Sequence, residues 1–249
     1  MRIIDQHVHS EFSFDSIESI ENYLKVSDSP IITTEHADFE CFCMNGGDTA
    51  FDYDEYAEQV EELNKRYDNR VLKGVELGYT ERVKDRLLEF IDKREFDLIL
   101  LSVHENDEVD YMDSMDRNSF REILPGYYEN IIKSVVDFHH VVDVVAHMDF
   151  VLRNKEYEME DVFEQESLIK SALEIIIKYD LALELNTRGL YQFKNGRYYD
   201  YLFSLYKGLG GKRISIGSDA HRIKDFKLNF DGAIKFVEDR GLDVSNIKF

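Results

Sequence analysis

Asp97-Leu98-Ile99-Leu100-Leu101-Ser102-Val103-His104 is an almost wholly apolar run that stops at a histidine. Apolar residues on both faces suit a parallel strand covered from either side, because a half-exposed antiparallel strand alternates instead. The end of the run matters as much as its middle. A metal-ligating residue type stands where the strand stops.

Working outward, the same pattern recurs. Upstream, Arg2–His9 opens with Ile3-Ile4 and closes on His7-Val8-His9, two imidazoles at i and i+2 on one strand face. Pro30 introduces the β-branched Ile31-Ile32-Thr33-Thr34-Glu35-His36, and Val71–Leu77 carries Glu76 near its end. Downstream come Val141–His147, Leu181–Asn186 and Arg213–Ser218, the last running into Asp219-Ala220-His221. Amphipathic segments separate the strands. They are Ile17–Val26 with Ser16 as cap and Glu18 in the first turn, Tyr53–Tyr67, Val83–Ile91, and a helix bearing Tyr128 to Val136 with Pro125 near its first turn. Asp161–Tyr179, Tyr198–Tyr206 and Asp225–Asp239 complete them. Strand–helix units without a Pro-, Ser- or Gly-rich linker predict an α/β chain forming one domain over residues 1–249. The expected architecture is a TIM-like barrel of seven parallel strands ringed by helices. A doubly wound open sheet is the alternative, but its Gly-rich phosphate fingerprint is missing after the first strand.

Composition narrows the function classes. The 249 residues carry 51 acids against 30 bases, net −21, which disfavours long nucleic acid as a partner. No apolar run approaches the roughly 20 residues of a membrane span, and no signal-peptide pattern opens the chain. Two cysteines, Cys41 and Cys43, are expected as separate packing thiols, which fits a cytoplasmic protein.

In a parallel barrel all the strand ends named above lie at one mouth. Six of the eight histidines (His7, His9, His36, His104, His147 and His221) therefore converge there, joined by Asp15, Glu76 and Asp219. A single histidine at a strand end is most often just a satisfied polar residue. Six in phase with the strand pattern are not explained that way. Nine ligands exceed the three or four of a single zinc site and suit two or three divalent ions, with mixed imidazole and carboxylate donors that accept Zn, Mn or Fe. His139 and His140, near a helix end, read as solvated or dipole-facing residues.

Taken together, His7-Val8-His9, Thr34-Glu35-His36, Glu76, Ser102-Val103-His104, Ala146-His147 and Gly217-Ser218-Asp219-Ala220-His221 resemble the full motif set of the PHP (polymerase and histidinol phosphatase) superfamily. The resemblance implies a distorted (β/α)7 barrel. It also implies one ion on His7, His9, Glu76 and Asp219, a second on Glu76, His104 and His147, and a third on Asp15, His36 and His221. Arg153 and Arg188, shortly after the fifth and sixth strands, look like the phosphate-binding arginines of histidinol phosphatases in the superfamily. Asn186-Thr187-Arg188 departs from a common family version with serine and glycine after the threonine.

Such a cluster supports hydrolysis of a phosphate ester by a hydroxide bridging the two ions that share Glu76, with Asp219 as the candidate to orient it and the arginines gripping the peripheral oxygens. The expected activity is that of a phosphomonoesterase acting on L-histidinol phosphate, a small-molecule ester of histidine biosynthesis. Alternatives are a phosphodiesterase or 3′–5′ exonuclease on nucleotides or short oligonucleotides, a phosphotyrosine phosphatase, and a non-catalytic module. Glu35, Glu105 and Glu184 are candidate partners for the substrate's cation. The segments 37–51 and 105–119 are candidate walls over the mouth, within which Phe39, Phe42 and Tyr111 read as core.

Overall fold

The computed structural model describes residues 3–106 and 108–247. Among these, seven strands form one sheet: β1 (Ile31–Asp38), β2 (Val71–Gly78), β3 (Leu98–Ser102), β4 (Val144–Val145), β5 (Ala182–Asn186), β6 (Arg213–Gly217) and β7 (Asp243–Val244). Each pairs in parallel with the next in chain order. Helices fill the crossovers: α1 (Ile20–Val26), α2 (Tyr53–Arg66), α3 (Lys84–Asp92), α4 (Arg117–Phe138), α5 (Met159–Phe163), α6 (Glu166–Lys178), α7 (Thr187–Tyr191), α8 (Gly196–Gly208) and α9 (Phe230–Glu238).

The first expected strand, Arg2–His9, is not a ladder strand, and its Arg2 lies outside the described residues. Side chains take several of its amides: Val8 N donates to Thr34 Oγ1 (3.1 Å), and the following Ser10 N to Glu35 Oε2 (3.0 Å). The segment nevertheless sits where a closing strand belongs. Thr34 N donates to Val8 O (2.7 Å), Gln6 N to Ile216 O (3.2 Å) and Asp219 N to His7 O (2.8 Å), so it bridges β1 and β6. Below it β7, which the periodicity did not reveal, pairs with Arg213-Ile214. Two short pieces end to end thus occupy the gap, and this is the distortion of the barrel.

The side-chain period of two explains why the ligands share a mouth. Along one face the opening stretch reads Leu98, Leu100, Ser102, His104, and β1 reads Ile32, Thr34, His36, Asp38. Ile32, Leu98, Leu100, Val144, Ala146, Ala182 and Ile247 meet in an apolar plug at the N-terminal half of the ring. The same faces turn polar one or two steps later, above that plug. Residues of the opposite phase, such as Val75, Leu77, Leu101, Leu183, Ile214 and Ile216, join the larger core with the helices.

Local boundaries differ from the sequence reading where a side chain does something else. Ser19, not Ser16, caps α1 by accepting from Asn22 N (3.3 Å); Ser16 Oγ accepts from Glu18 N and donates to His221 O (3.1 Å), tying the Asp15 loop to the far end of the chain. Pro125 lies inside α4, not in its first turn, where it removes one helical donor. Asp161–Tyr179 is broken into α5 and α6, and the last helix starts only at Phe230. Cys41 and Cys43 are joined in a disulfide, because a short turn brings their Cα atoms to 5.4 Å. Phe39 and Tyr111 are buried as expected, whereas Phe42 is exposed. His139 ends α4 stacked on Tyr179.

Candidate active site

Glu76 is the hub. It is fully buried at the mouth end of β2; its Oε1 accepts from Ser102 Oγ (2.5 Å) and faces His147 Nε2 (2.7 Å) and His104 Nε2 (3.1 Å). Around Oε2 lie His7 Nε2 (3.2 Å), His36 Nδ1 (3.2 Å) and His9 Nε2 (3.4 Å), yet that oxygen makes no hydrogen bond among the described residues. His7 Nε2 and His9 Nε2 face one another at 3.1 Å. Two ligands of a tetrahedral ion at zinc distances sit about 3.3 Å apart, so this crowding of lone pairs fits a cation and suits nothing else as well. The donor set therefore fits the divalent metal that the motifs imply.

A second group lies beside it. Asp15 Oδ2 is 2.9 Å from His221 Nε2, and its Oδ1 is 3.7 Å from His36 Nε2. The His9 ring stacks on both His36 and His221, with centroids 4.2 Å apart in each case. Asp219 Oδ1 stands 3.6 Å from both His9 Nε2 and His221 Nδ1, held there by a left-handed backbone (φ 54°) that a non-glycine residue adopts at a cost. All nine expected ligands thus lie in one cluster. Ligand atoms of three overlapping triads, His7/His9/Glu76, His36/Glu76/His104 and His9/His36/His221, each lie within 4.8 Å of one another.

Electrostatics keep the carboxylates ionised. Burial alone would raise Glu76, but the imidazoles of His7, His104 and His36 outweigh it and hold the acid well below its usual range. For Asp219 burial is likewise outweighed, here by Arg188 and Arg153. Burial, joined by His36 and His221, pushes His9 well below its ordinary value, towards the neutral imidazole that ligates a cation. His7 goes the other way: burial is outweighed by Glu76 and Glu184, and it is held well above its ordinary value.

The two arginines meet at Asp219. Arg153 is almost fully buried and donates from Nη1 to Asp219 Oδ2 (3.0 Å), while its Nε, 3.8 Å from Asp149 Oδ2, and its Nη2 make no hydrogen bond among the described residues. Arg188, 31% exposed, approaches Asp219 Oδ1 (3.5 Å) from α7, a short helix that the periodicity did not reveal. Asn186 caps that helix by accepting from Gly189 N (3.0 Å). A cavity of about 240 Å³ takes in both guanidiniums, seven of the nine ligands, and Phe14, Asp38, Cys41, Cys43, Glu105, Asp110 and Met112. Both expected wall segments therefore contribute.

Two of the three candidate cation partners are occupied otherwise. Glu35 accepts from Ser10 Oγ and Ser13 Oγ (2.6 Å each), and Glu184 from His7 Nδ1 (2.8 Å) and His147 N (2.7 Å), orienting those ligands. Glu105 alone of the three lines the cavity, and burial raises its carboxyl to about 7. Asp38 is a site residue the sequence reading missed: its Oδ1 accepts from His104 Nδ1 (2.7 Å), fixing that ring. The signal was its place two residues beyond His36 on the same strand face. Asp38 fits only because its cross-strand neighbour is Gly78, where a Cβ would fall 1.7 Å from Asp38 Oδ1. Gly78→Ala is therefore expected to lower stability by about 1–3 kcal/mol in urea titrations and to weaken metal binding roughly tenfold in a chelator competition.

A parallel α/β ring with imidazoles, carboxylates and arginines gathered at the C-terminal ends of its strands defines a metal-site barrel of hydrolytic type. The PHP domain profile matches residues 5–188, and the chain belongs to that family. It is 31% identical to a probable histidinol-phosphatase of Clostridium acetobutylicum over 96% of this chain and 94% of that protein. It is 28% identical to the histidinol-phosphatase of Lactococcus lactis over 97% and 92%. The crystal structure of histidinol phosphate phosphatase from Lactococcus lactis, complexed with zinc, L-histidinol and phosphate, superposes with a TM-score of 0.84 at 26% identity, covering 97% of this chain and 95% of that one. No helix among the described residues is long and apolar enough to cross a membrane.

Proposed function

We propose that the chain is a metal-dependent phosphomonoesterase that hydrolyses L-histidinol phosphate to L-histidinol and phosphate, a step of histidine biosynthesis, acting as one catalytic domain over residues 1–249. The carrying observation is that two guanidiniums bracket Asp219 in the same cavity as the carboxylate–imidazole cluster. The names of the relatives and the zinc, L-histidinol and phosphate of the similar crystal structure support the substrate. A core that runs without a break from Val8 to Leu242 supports a single domain.

Two or three divalent ions, of Zn, Mn or Fe, would be held by His7, His9, Glu76 and Asp219, by Glu76, His104 and His147, and by Asp15, His36 and His221. When bound they supply Lewis acidity to the attacking water and to the phosphate oxygens. The chain's own residues do the rest. Arg153 Nη2, which makes no hydrogen bond among the described residues, can donate to a peripheral phosphate oxygen while Nε faces Asp149 (3.8 Å), and Arg188 closes on the same place from α7. Glu184, Asp38 and Ser13 fix the rings of His7, His104 and His9 through their Nδ1 atoms, leaving each Nε2 aimed at the cluster. Asp219, ionised and gripped by both arginines, is placed to orient the attacking water.

Phosphate release should be measured over L-histidinol phosphate, phosphotyrosine, nucleotides and short oligonucleotides with Mn, Zn or Fe supplied. L-Histidinol phosphate is expected to be the best substrate, and a strong chelator should cut its turnover by at least about a hundredfold, reversibly on metal return. An oligonucleotide cut while L-histidinol phosphate is untouched would overturn the reading.

A further inference from the structure

Glu105 follows His104 out of β3, is 5% exposed, and lines the cavity. Its two oxygens are not equivalent. Oε2 accepts from Phe42 N (2.7 Å), at the turn that the Cys41–Cys43 bridge closes, so the carboxylate is anchored to the wall. Oε1 is buried and has no partner among the described residues. A buried carboxylate oxygen without a donor is costly, and such groups in native proteins ordinarily have a partner in the working state. The two arginines of the cavity lie at Asp219, which follows β6, and neither pairs with Glu105 among the described residues.

The cavity therefore has two poles. The arginines and the ligand cluster form the phosphate pole, and Glu105, tied to the loop after β1, forms an anionic pole for the other end of the substrate. Phe14 and Met112 add apolar wall to the same cavity, suited to the carbon skeleton of an alcohol. We propose that Glu105 is the specificity-determining residue of this site, its free Oε1 accepting a hydrogen bond from a cationic nitrogen on the alcohol portion of the phosphomonoester. This rests on the phosphomonoesterase reading above, and extends it from the reaction to the choice of ester. Glu35 and Glu184 cannot take the role, since ligand-orienting contacts consume them.

The test is Glu105→Gln in the metal-loaded full chain. Glutamine keeps an acceptor for Phe42 N and removes the charge, so the wall stays anchored. With L-histidinol phosphate, kcat/KM should fall roughly 10- to 100-fold, mostly through KM, and the inhibition constant of L-histidinol should rise in parallel. With p-nitrophenyl phosphate it should change less than about threefold. A matched pair, O-phosphoethanolamine against propyl phosphate, differs only by an ammonium in place of a methyl group. The wild type should prefer the cation, and the variant should lose that preference. If the wild type ignores L-histidinol phosphate, the substrate reading fails, while the matched pair still judges Glu105. Equal losses on charged and neutral esters, or no loss on either, overturn the proposal.

Discussion

Glu76→Gln is expected to lower kcat roughly a thousandfold or more and to strip divalent metal from the protein. The argument is positional. Both oxygens of this carboxylate are surrounded: His104 and His147 stand at Oε1, and His7, His9 and His36 stand within 3.2–3.4 Å of Oε2. Among the described residues no other carboxylate stands against all five of these imidazoles; Asp38, the nearest to doing so, meets only His104 and His36. An amide nitrogen at either position would present hydrogens to ring nitrogens that would offer lone pairs to a cation, so one atom exchange would disturb both groups of imidazoles. Ser102 Oγ still finds an oxygen to donate to, and the plug below is untouched, so the fold should survive. Metal content by mass spectrometry and turnover with excess metal check it. Full metal occupancy with activity within tenfold of wild type would contradict the bridging role.

The fold was legible because the barrel repeats one rule, an apolar strand that turns polar at its end. Leu98 to His104 states that rule alone, and β1, β5 and β6 restate it. The closing position was not legible. Arg2–His9 has the composition of a strand, but whether its amides meet backbone or side chains depends on Thr34 and Glu35, which come a β-α unit later. Asp243-Val244 is too short to show a period at all. The ligands were readable as residue types in phase with strands. Their orienting partners were less so, since Glu184 and Asp38 are placed by register across the ring. The bridge between Cys41 and Cys43 depended on a local turn that their spacing alone disfavoured.

Arg153→Ala is expected to lower kcat/KM for the monoester by roughly a thousandfold, about 4 kcal/mol, and Arg188→Ala by only about ten- to a hundredfold. The asymmetry follows from burial and geometry. Arg153 is 2% exposed, flanked by Phe150 and Phe193, and set 3.0 Å from Asp219, with its Nη2 making no hydrogen bond among the described residues. Water cannot replace a guanidinium there. Arg188 is 31% exposed and 3.5 Å from the same carboxylate, so solvent and neighbouring groups soften its loss. Part of the Arg153 effect could be structural, because its removal leaves Asp219 and Asp149 without their cation. Arg153→Lys separates the two contributions: it restores the charge between the acids, hence the melting temperature, but not the planar fork. Catalysis should therefore remain at least about thirtyfold impaired in the lysine variant, and inhibition by inorganic phosphate should weaken alongside it. Recovery of both activity and phosphate inhibition with lysine would show that Arg153 acts only as a counter-charge to Asp219.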